Sequence, residues 1–289
     1  VTRFWLALLR ALHRMLPVSA LARLGERLGG LLYRVAASRR HVVHTNLRLC
    51  FPDRDEAWRQ QTARAHFRAF GRALVLEAVS WWGDRTQVAT LVRIEGRAHF
   101  EAVRSGPVIL LAPHFLGLNL AFVRLCLDYA PLVTMYARIK NPHLDQLMHH
   151  SRTRFGASRL HARQEGVRPV LASLKAGLPF YYLPDLDYGR REAIFVPFFG
   201  VPAATITGLA RMARIAGAAV VPVTTRWDGR SYVVTFHPAW TDYPAGDVAA
   251  DTRRMNAFIE QVVYTCPEQY FWVHKRFKTR PQGEPGIYG

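Results

Sequence analysis

The residues in this sequence best suited to chemistry follow short apolar runs. His114 follows Val108-Ile109-Leu110-Leu111-Ala112 after a single proline, Pro113, and Asn119 lies five positions further on. An imidazole changes charge near neutral pH and serves as a general base. An asparagine within reach could orient it through the amide oxygen. On the residues alone two readings stay open, a base at a strand end or a half-buried histidine in a loop. "MYARIKNP" places Arg138 and Lys140 behind another apolar run, a natural anion clamp or simply two exposed bases. "YYLPDLDYGRREAIFVPFFGVPAATITG" is richest. Asp185 and Asp187 follow an apolar stretch, Gly189, Arg190 and Arg191 form a flexible basic turn, and Phe195, Val196, Phe198 and Phe199 make a greasy wall. Charge beside such a wall suits a substrate with a polar head and an apolar tail.

The elements that must position these residues alternate. Strand signals at "VATLVRIEG", 107–112, "LVTMYAR", "PFYYLP" and "AAVVPVTTRW" are separated by helical patterns at 98–105, 115–127, 141–155, 167–176 and 205–216. Residues 184–202 read as a loop, 221–237 as strand-turn-strand, and 247–264 as a helix. Residues 54–82 read as one long helix or two. This alternation predicts an α/β fold with a mainly parallel central sheet flanked by helices. His114 then stands at the carboxyl end of a strand, where ligands bind in open α/β sheets. Pro222 in "AVVPV" should lie near a sheet edge or a strand end.

The amino end differs. In "VTRFWLALLRALHRMLP", Trp5, Leu8, Leu9, Leu12 and Leu16 share one helical face, and Arg3, Arg10 and Arg14 the other. That suits a helix lying in a membrane interface, or one packed on the protein's own core. Residues 19–37 give a second helical pattern with Ser19 as its N-cap. The division expected is amphipathic membrane-associating helices over 1–37 and a catalytic domain over 38–289. No run approaches the ~20 apolar residues of a spanning helix, and Arg10, His13 and Arg14 interrupt what would be a signal peptide.

A chain of 289 residues, half of them hydrophobic, can bury a large core. Lys and Arg number 39 against 21 Asp and Glu, a formal charge of +18. Such a surface attracts nucleic acid, anionic membrane or an acidic protein. The carboxyl-terminal "YFWVHKRFKTRPQGEPG", aromatic and basic, fits either of the first two. Cys50, Cys126 and Cys266 are too far apart for a metal pair and read as reduced packing residues. Phosphate-loop, dinucleotide, zinc-protease and nucleophile-elbow motifs are absent from the sequence, and no metal site or cofactor is expected.

Together the blocks follow a familiar order: His-x4-acid, with Asn119 here in the acid's place, an arginine after a strand, a Pro-Asp/Glu-Gly-type loop, then "VVPV". This resembles the lysophospholipid acyltransferase superfamily. "NLRLCFPD", "YYLPDLDYG…FVPFFGVPAAT" and "QYFWVHKRFKTRP" resemble one branch of it, the late acyltransferases of lipid A biosynthesis, over residues 3–283. The resemblance implies a glycerolipid acyltransferase-like fold and an enzyme on the cytoplasmic face of a bacterial inner membrane. It also implies transfer of an acyl chain from acyl carrier protein to a hydroxyl on an acyl chain of a Kdo-bearing lipid A precursor. His114 would be the base, partnered by Asn119. Arg138, Lys140, Asp185, Asp187, Gly189, Arg190, Arg191, Phe195, Phe198 and Phe199 would bind substrate. Acidic carrier protein, anionic precursor and anionic membrane surface would all meet the +18 charge, and no nucleic acid is expected.

The pattern has one departure. The family places Asp or Glu where this chain has Asn119, and a carboxylate there would steady the imidazolium. A slower enzyme, a distal carboxylate in its place, and a lipid-binding protein without catalysis are the three consequences. Asp185 is the first distal candidate, although loop ordering or acceptor binding is its preferred reading. An acyltransferase for another lipid acceptor is the remaining alternative.

Overall fold

The structure, a computed structural model, describes residues 2–289. The amino-terminal helices are α1 (Thr2–Met15), α2 (Val18–Val35), α3 (Ala37–Cys50) and the 27-residue α4 (Glu56–Trp82). The alternating part follows with α5 (Arg85–Leu91), β1 (Val92–Glu95), α6 (Arg97–Glu101), β2 (Val108–Leu111), α7 (Leu118–Tyr129), β3 (Val133–Tyr136), α8 (Pro142–Thr153), β4 (Arg159–Ala162), α9 (Arg168–Lys175) and β5 (Phe180–Tyr182). A hairpin of β6 (Ala193–Phe198) and β7 (Val201–Ile206) precedes α10 (Gly208–Ala216), β8 (Ala219–Trp227), β9 (Tyr232–Phe236) and α11 (Val248–Thr265).

Seven strands form one sheet in the order β1-β9-β8-β2-β5-β3-β4, parallel at every pairing except β8 with β9. Strand periodicity splits the core into two layers. Ile109, Leu111, Phe180, Tyr182 and Val220 face α9, α10 and α11. Val108, Leu110, Tyr181 and Val221 face α5 and α7. All four residues of β2 are buried, as both-sides coverage of a parallel sheet requires.

Local signals explain the helix starts. Asp55 caps α4 by accepting from the Trp58 N–H, Asp84 and Gln87 form a capping box on α5, and Asn141 and Asp247 cap α8 and α11. Ser19 is no N-cap: Pro17 holds that position of α2, without a side-chain cap. α2 and α4 pack backbone to backbone through Gly25, Gly29 and Gly71. A Cβ on Gly29 would overlap the Phe67 carbonyl oxygen, so a side chain there would push the helices apart.

Three expectations are corrected. "VATLVRIEG" is the end of α5 running into the four-residue β1. Residues 184–202 hold most of a hairpin instead of a loop, paired from Ala193–Ile206 to Phe198–Val201. Its turn uses positive φ at both Phe199 (52°) and Gly200 (75°), the turn geometry that matches strand twist. Pro222 lies in an interior strand, opposite Leu111. The missing N–H is tolerated because the β9 ladder begins only at Val223 with Phe236.

Candidate active site

Two neighbouring parallel strands build the centre of the site. β2 and β5 pair with Leu111 opposite Tyr182, and the Ala112 N–H donates to the Tyr182 carbonyl (2.8 Å). His114 stands three residues beyond Leu111, and Asp185 three beyond Tyr182. Each overhang carries a proline in the middle, Ala112-Pro113-His114 and Leu183-Pro184-Asp185. Equal overhangs from paired residues bring both side chains to the same height above the sheet, although 71 positions separate them.

They meet in a bidentate arrangement. The His114 backbone N–H donates to Asp185 Oδ2 (2.9 Å), and ring Nδ1 lies 2.7 Å from Oδ1. A carboxylate only accepts, so Nδ1 carries a proton whether or not the ring is charged, and in the neutral ring Nε2 holds the lone pair. The Tyr270 hydroxyl donates a third bond to Oδ2 (2.9 Å). Asp185 is fully buried, and burial alone would push its carboxyl up. The charge of His114, the His114 hydrogen bonds and the Tyr270 hydroxyl outweigh burial and hold it below the usual carboxylate range. The carboxylate therefore stays ionised at neutral pH. The histidine loop is also clamped from behind, where the Phe271 N–H donates to the His114 carbonyl (3.0 Å) and the Leu116 N–H to the Gln269 carbonyl (2.9 Å).

The His114 side chain retains 14% exposure, and Nε2 makes no hydrogen bond within the described chain. It faces a cavity of about 1330 Å³ whose apolar wall includes Leu118 and Phe122 from α7, Met135 from β3, Met148 from α8 and Tyr181 from β5. Arg152, Arg163, Arg168, Arg191 and Arg211 supply positive charge to the same cavity. A base with a free lone pair, an ionised partner behind it, an apolar channel and cations is an arrangement for activating a hydroxyl beside a lipid tail.

Asn119 is placed elsewhere. Its amide donates to Glu77 Oε2 (2.8 Å) and to Ser80 Oγ (3.2 Å), and its oxygen accepts from Arg152 Nε (2.8 Å). The expected contact with His114 is corrected to Asp185, because α7 starts after Gly117 and turns Asn119 toward α4. Gly117 has φ 89°, and a Cβ there would run into the Tyr232 ring.

The other predicted residues divide. Asp187 is buried and accepts from Gly189 N–H (2.9 Å), Thr279 N–H (2.6 Å) and Thr279 Oγ1 (2.8 Å), while its own N–H donates to His274 Nε2 (3.0 Å). It ties the loop to the carboxyl-terminal segment. Gly189 has φ 94°, and Arg190 donates to the Arg280 carbonyl (2.5 Å). Arg191 lines the cavity, whereas Arg138 and Lys140 are exposed beyond β3 and outside its lining. The phenylalanine wall is also outside it. Phe198 is fully buried against Tyr270 and Phe277, Phe199 packs on Phe51 and Tyr264, and Phe195 is 37% exposed on the hairpin. These rings fix the hairpin, and the cavity's apolar surface comes from α7, β3, α8, β5, the loop residues Leu183 and Leu186, and Ile206 at the end of β7.

Sequence reasoning misses Tyr270, Glu77 and Arg152. Tyr270 sits in "QYFW", but nothing local says which residue its hydroxyl meets. The three cysteines are free and buried, and burial pushes the Cys126 thiol up to about 12 and Cys266 to about 11, so neither is a thiolate at neutral pH. Among the described residues, no three His, Cys, Asp or Glu side chains cluster as metal ligands.

The chain matches the sequence profile of the bacterial lipid A biosynthesis acyltransferases over residues 1–279. It is 35% identical to the lipid A biosynthesis lauroyltransferase of Escherichia coli (strain K12), covering 99% of this chain and 95% of that protein. It is 32% identical to the lipid A biosynthesis palmitoleoyltransferase of the same organism, over 94% of this chain and 90% of that protein. With the lipid A biosynthesis myristoyltransferase of that organism the identity is 33%, over 91% and 81%. The chain is thus an acyltransferase, and it belongs to the bacterial lipid A biosynthesis acyltransferase family.

Proposed function

We propose that this chain moves a fatty acyl group from an acyl carrier protein thioester to a hydroxyl on an acyl chain of a Kdo-bearing lipid A precursor, with His114 as general base. The observation that carries the reading is the ionised Asp185 on Nδ1 with Nε2 free on the cavity. Nε2 takes the hydroxyl proton as the oxygen attacks the thioester carbonyl. The tetrahedral intermediate expels the thiolate, the C–S bond breaks, and the imidazolium returns the proton to sulfur. Asp185 stays a carboxylate throughout and stabilises the imidazolium between the two transfers. With a buried carboxylate already on His114, Asn119 is no bar to activity.

The charge of +18 suits an acidic donor protein and an anionic acceptor. Arg138, Lys140 and Arg190, exposed outside the cavity, are suited to meeting that donor or the membrane, and Arg191 to the acceptor. α1 and α2 expose Phe4, Trp5, Leu8, Met15, Leu28, Leu31 and Val35, and no helix of the described residues is long and apolar enough to cross a membrane. Residues 1–37 then seat the catalytic part, 38–289, in the plane of an anionic membrane surface. The location this implies is the cytoplasmic face of the inner membrane.

Mass spectrometry of the purified precursor, incubated with this protein and a series of acyl carrier protein thioesters, tests the reading. A gain of one acyl chain, absent with His114→Ala, is expected. Unchanged precursor with every thioester, although the precursor binds, would overturn it.

A further inference from the structure

Three helices bring a second polar group to the cavity, apart from His114. α4 contributes Glu77 and Ser80, one turn apart and on the same face. α7 contributes Asn119 from its first turn, and α8 contributes Arg152 from its last. The order in space is carboxylate, amide, guanidinium. Ser80 Oγ donates to Glu77 Oε2 (2.6 Å), the Asn119 amide N–H₂ donates to that same oxygen (2.8 Å), and Arg152 Nε donates to the Asn119 oxygen (2.8 Å). Only one orientation of the amide satisfies both neighbours.

Structural arginines in this chain spend their forks on carboxylates or carbonyls, as Arg253 does on Glu260 and Arg154 on Gly83 and Val79. Arg152 does not. It forms no ion pair within 4.0 Å among the described residues, and only Nε is used. The two Nη groups donate to nothing in the described chain, are not sealed off from solvent, and belong to a residue of the cavity wall. The Phe122 ring lies 5.9 Å from the guanidinium carbon, so one side of the group is apolar. Burial pushes Glu77 up, opposed by Ser80, Asn119 and the charge of Arg152. Burial lowers Arg152, opposed first by Glu77. Burial outweighs the opposing contacts in both, and each charge offsets part of the other's burial across a neutral amide.

We propose that Glu77 and Asn119 are positioning residues, and that the Glu77 carboxylate, relayed through Asn119, fixes Arg152 so that its Nη groups bind an anionic oxyacid group of the acceptor. This rests on the proposed function and extends it to acceptor recognition. The carboxylate of the group comes from α4, and position 119 on α7 is the spacer. Asn119→Asp puts a second carboxylate 2.8 Å from Glu77, where two like charges share one proton. Exchanging the pair, Glu77→Gln with Asn119→Asp, restores one carboxylate and one amide in reversed order. The carboxylate introduced on α7 then accepts directly from Arg152.

The experiment is steady-state kinetics of Glu77→Gln, Asn119→Asp and the exchanged double variant against the native chain, with acceptor varied. Each single change is expected to raise the acceptor KM about tenfold, the worth of roughly one hydrogen bond to a charged group, with kcat within about threefold. The double variant returns KM to within about threefold of native. A double variant as poor as the worse single one, singles without effect, or losses confined to kcat would each overturn the proposal. Arg152→Gln, compared on acceptors lacking phosphate and lacking acidic sugar, identifies the recognised group. The penalty disappears on the acceptor from which that group is missing, and an equal penalty on all acceptors counts against acceptor recognition. Melting temperatures of the native chain, the two single variants and the double variant separate this outcome from failure of the transferase reading. The single changes lower the melting temperature and the exchange recovers it whether or not this acceptor is turned over, and purely additive shifts overturn the relay.

Discussion

Replacing Asp185 by asparagine changes one atom and, by the geometry above, the tautomer of His114, the proposed base. Three donors meet the carboxylate: the His114 N–H and the Tyr270 hydroxyl at Oδ2, and His114 Nδ1 at Oδ1. A backbone N–H can only donate, so the oxygen of the introduced amide must occupy the Oδ2 position. The amide nitrogen then faces Nδ1, which has to become an acceptor, and the ring proton moves to Nε2. The lone pair that should take the hydroxyl proton is gone. The charge that stabilised the imidazolium is gone as well. For unit charges about 4 Å apart at an effective dielectric near 20 that attraction is about 4 kcal/mol. At about 1.4 kcal/mol per tenfold this is roughly a thousandfold in rate, and the tautomer penalty brings the expected loss to about 10³–10⁴ in kcat. Since Asp185 makes no contact with the open cavity, the acceptor KM should hold within about threefold. The assay is acyl transfer under saturating donor and acceptor, with the melting temperature taken on the same preparation. A folded Asp185→Asn protein retaining more than a tenth of native kcat would refute the assignment of Asp185 to His114.

Other consequences are as definite. Gly29→Ala forces a Cβ against the Phe67 carbonyl and should cost about 1–3 kcal/mol, read as a lower denaturant midpoint. Gly30→Ala, with nothing within 4 Å, should instead stabilise α2 by up to about 1 kcal/mol. His66 is fully buried, and burial lowers it from 6.5 to about 4. Between those values the unfolded chain takes a proton that the folded chain refuses, so stability present above about pH 6.5 falls as pH drops, by up to about 3 kcal/mol near pH 4. The difference in unfolding free energy between native protein and His66→Gln, followed over roughly pH 4–7, should show that slope, and parallel curves would contradict it. Phe4→Ser, Trp5→Ser and Leu8→Ser together should weaken binding to anionic vesicles at least ~tenfold. Unchanged sedimentation with vesicles would argue that α1 does not seat the protein.

Much of the site is legible in the sequence, and the gaps have identifiable causes. The strand ending before His114 and the strand ending before Asp185 are both visible there, each followed by residue-proline-residue. Their adjacency is not, because sheet order is not chain order: β5 inserts between β2 and β3. Once that order is known, the equal three-residue overhang pairs the two side chains. Asn119 stands out by spacing alone. A count of five along the chain cannot register that Gly117 turns α7 and aims the amide at α4, 42 positions upstream. The β6–β7 hairpin is hidden by Pro197 and Pro202, which pair opposite each other at its closed end. Alternation in "AIFVPF" around Phe199-Gly200 is the available signal. Arg138 and Lys140 follow a strand as expected, but β3 is flanked by β4, and the cavity takes its cations from α8, α9, α10 and the loops instead.

The segment after α11 gives the site a dependence on timing. Asn46 of α3 donates to the Trp272 and His274 carbonyls (2.8 and 2.9 Å), and the buried Arg276 donates to Ala204 and Thr205. These contacts lay residues 270–279 across the sheet, where Tyr270 reaches Asp185 and Phe271 grips the histidine loop. During synthesis His114 and Asp185 emerge long before Tyr270. A nascent chain can therefore carry both members of the pair while the brace that holds them is still inside the ribosome. The Tyr270 bond to Asp185 and the Phe271 grip on the His114 carbonyl form only when that late segment threads back onto α3, so an interrupted or clipped chain carries the His114–Asp185 pair without its brace.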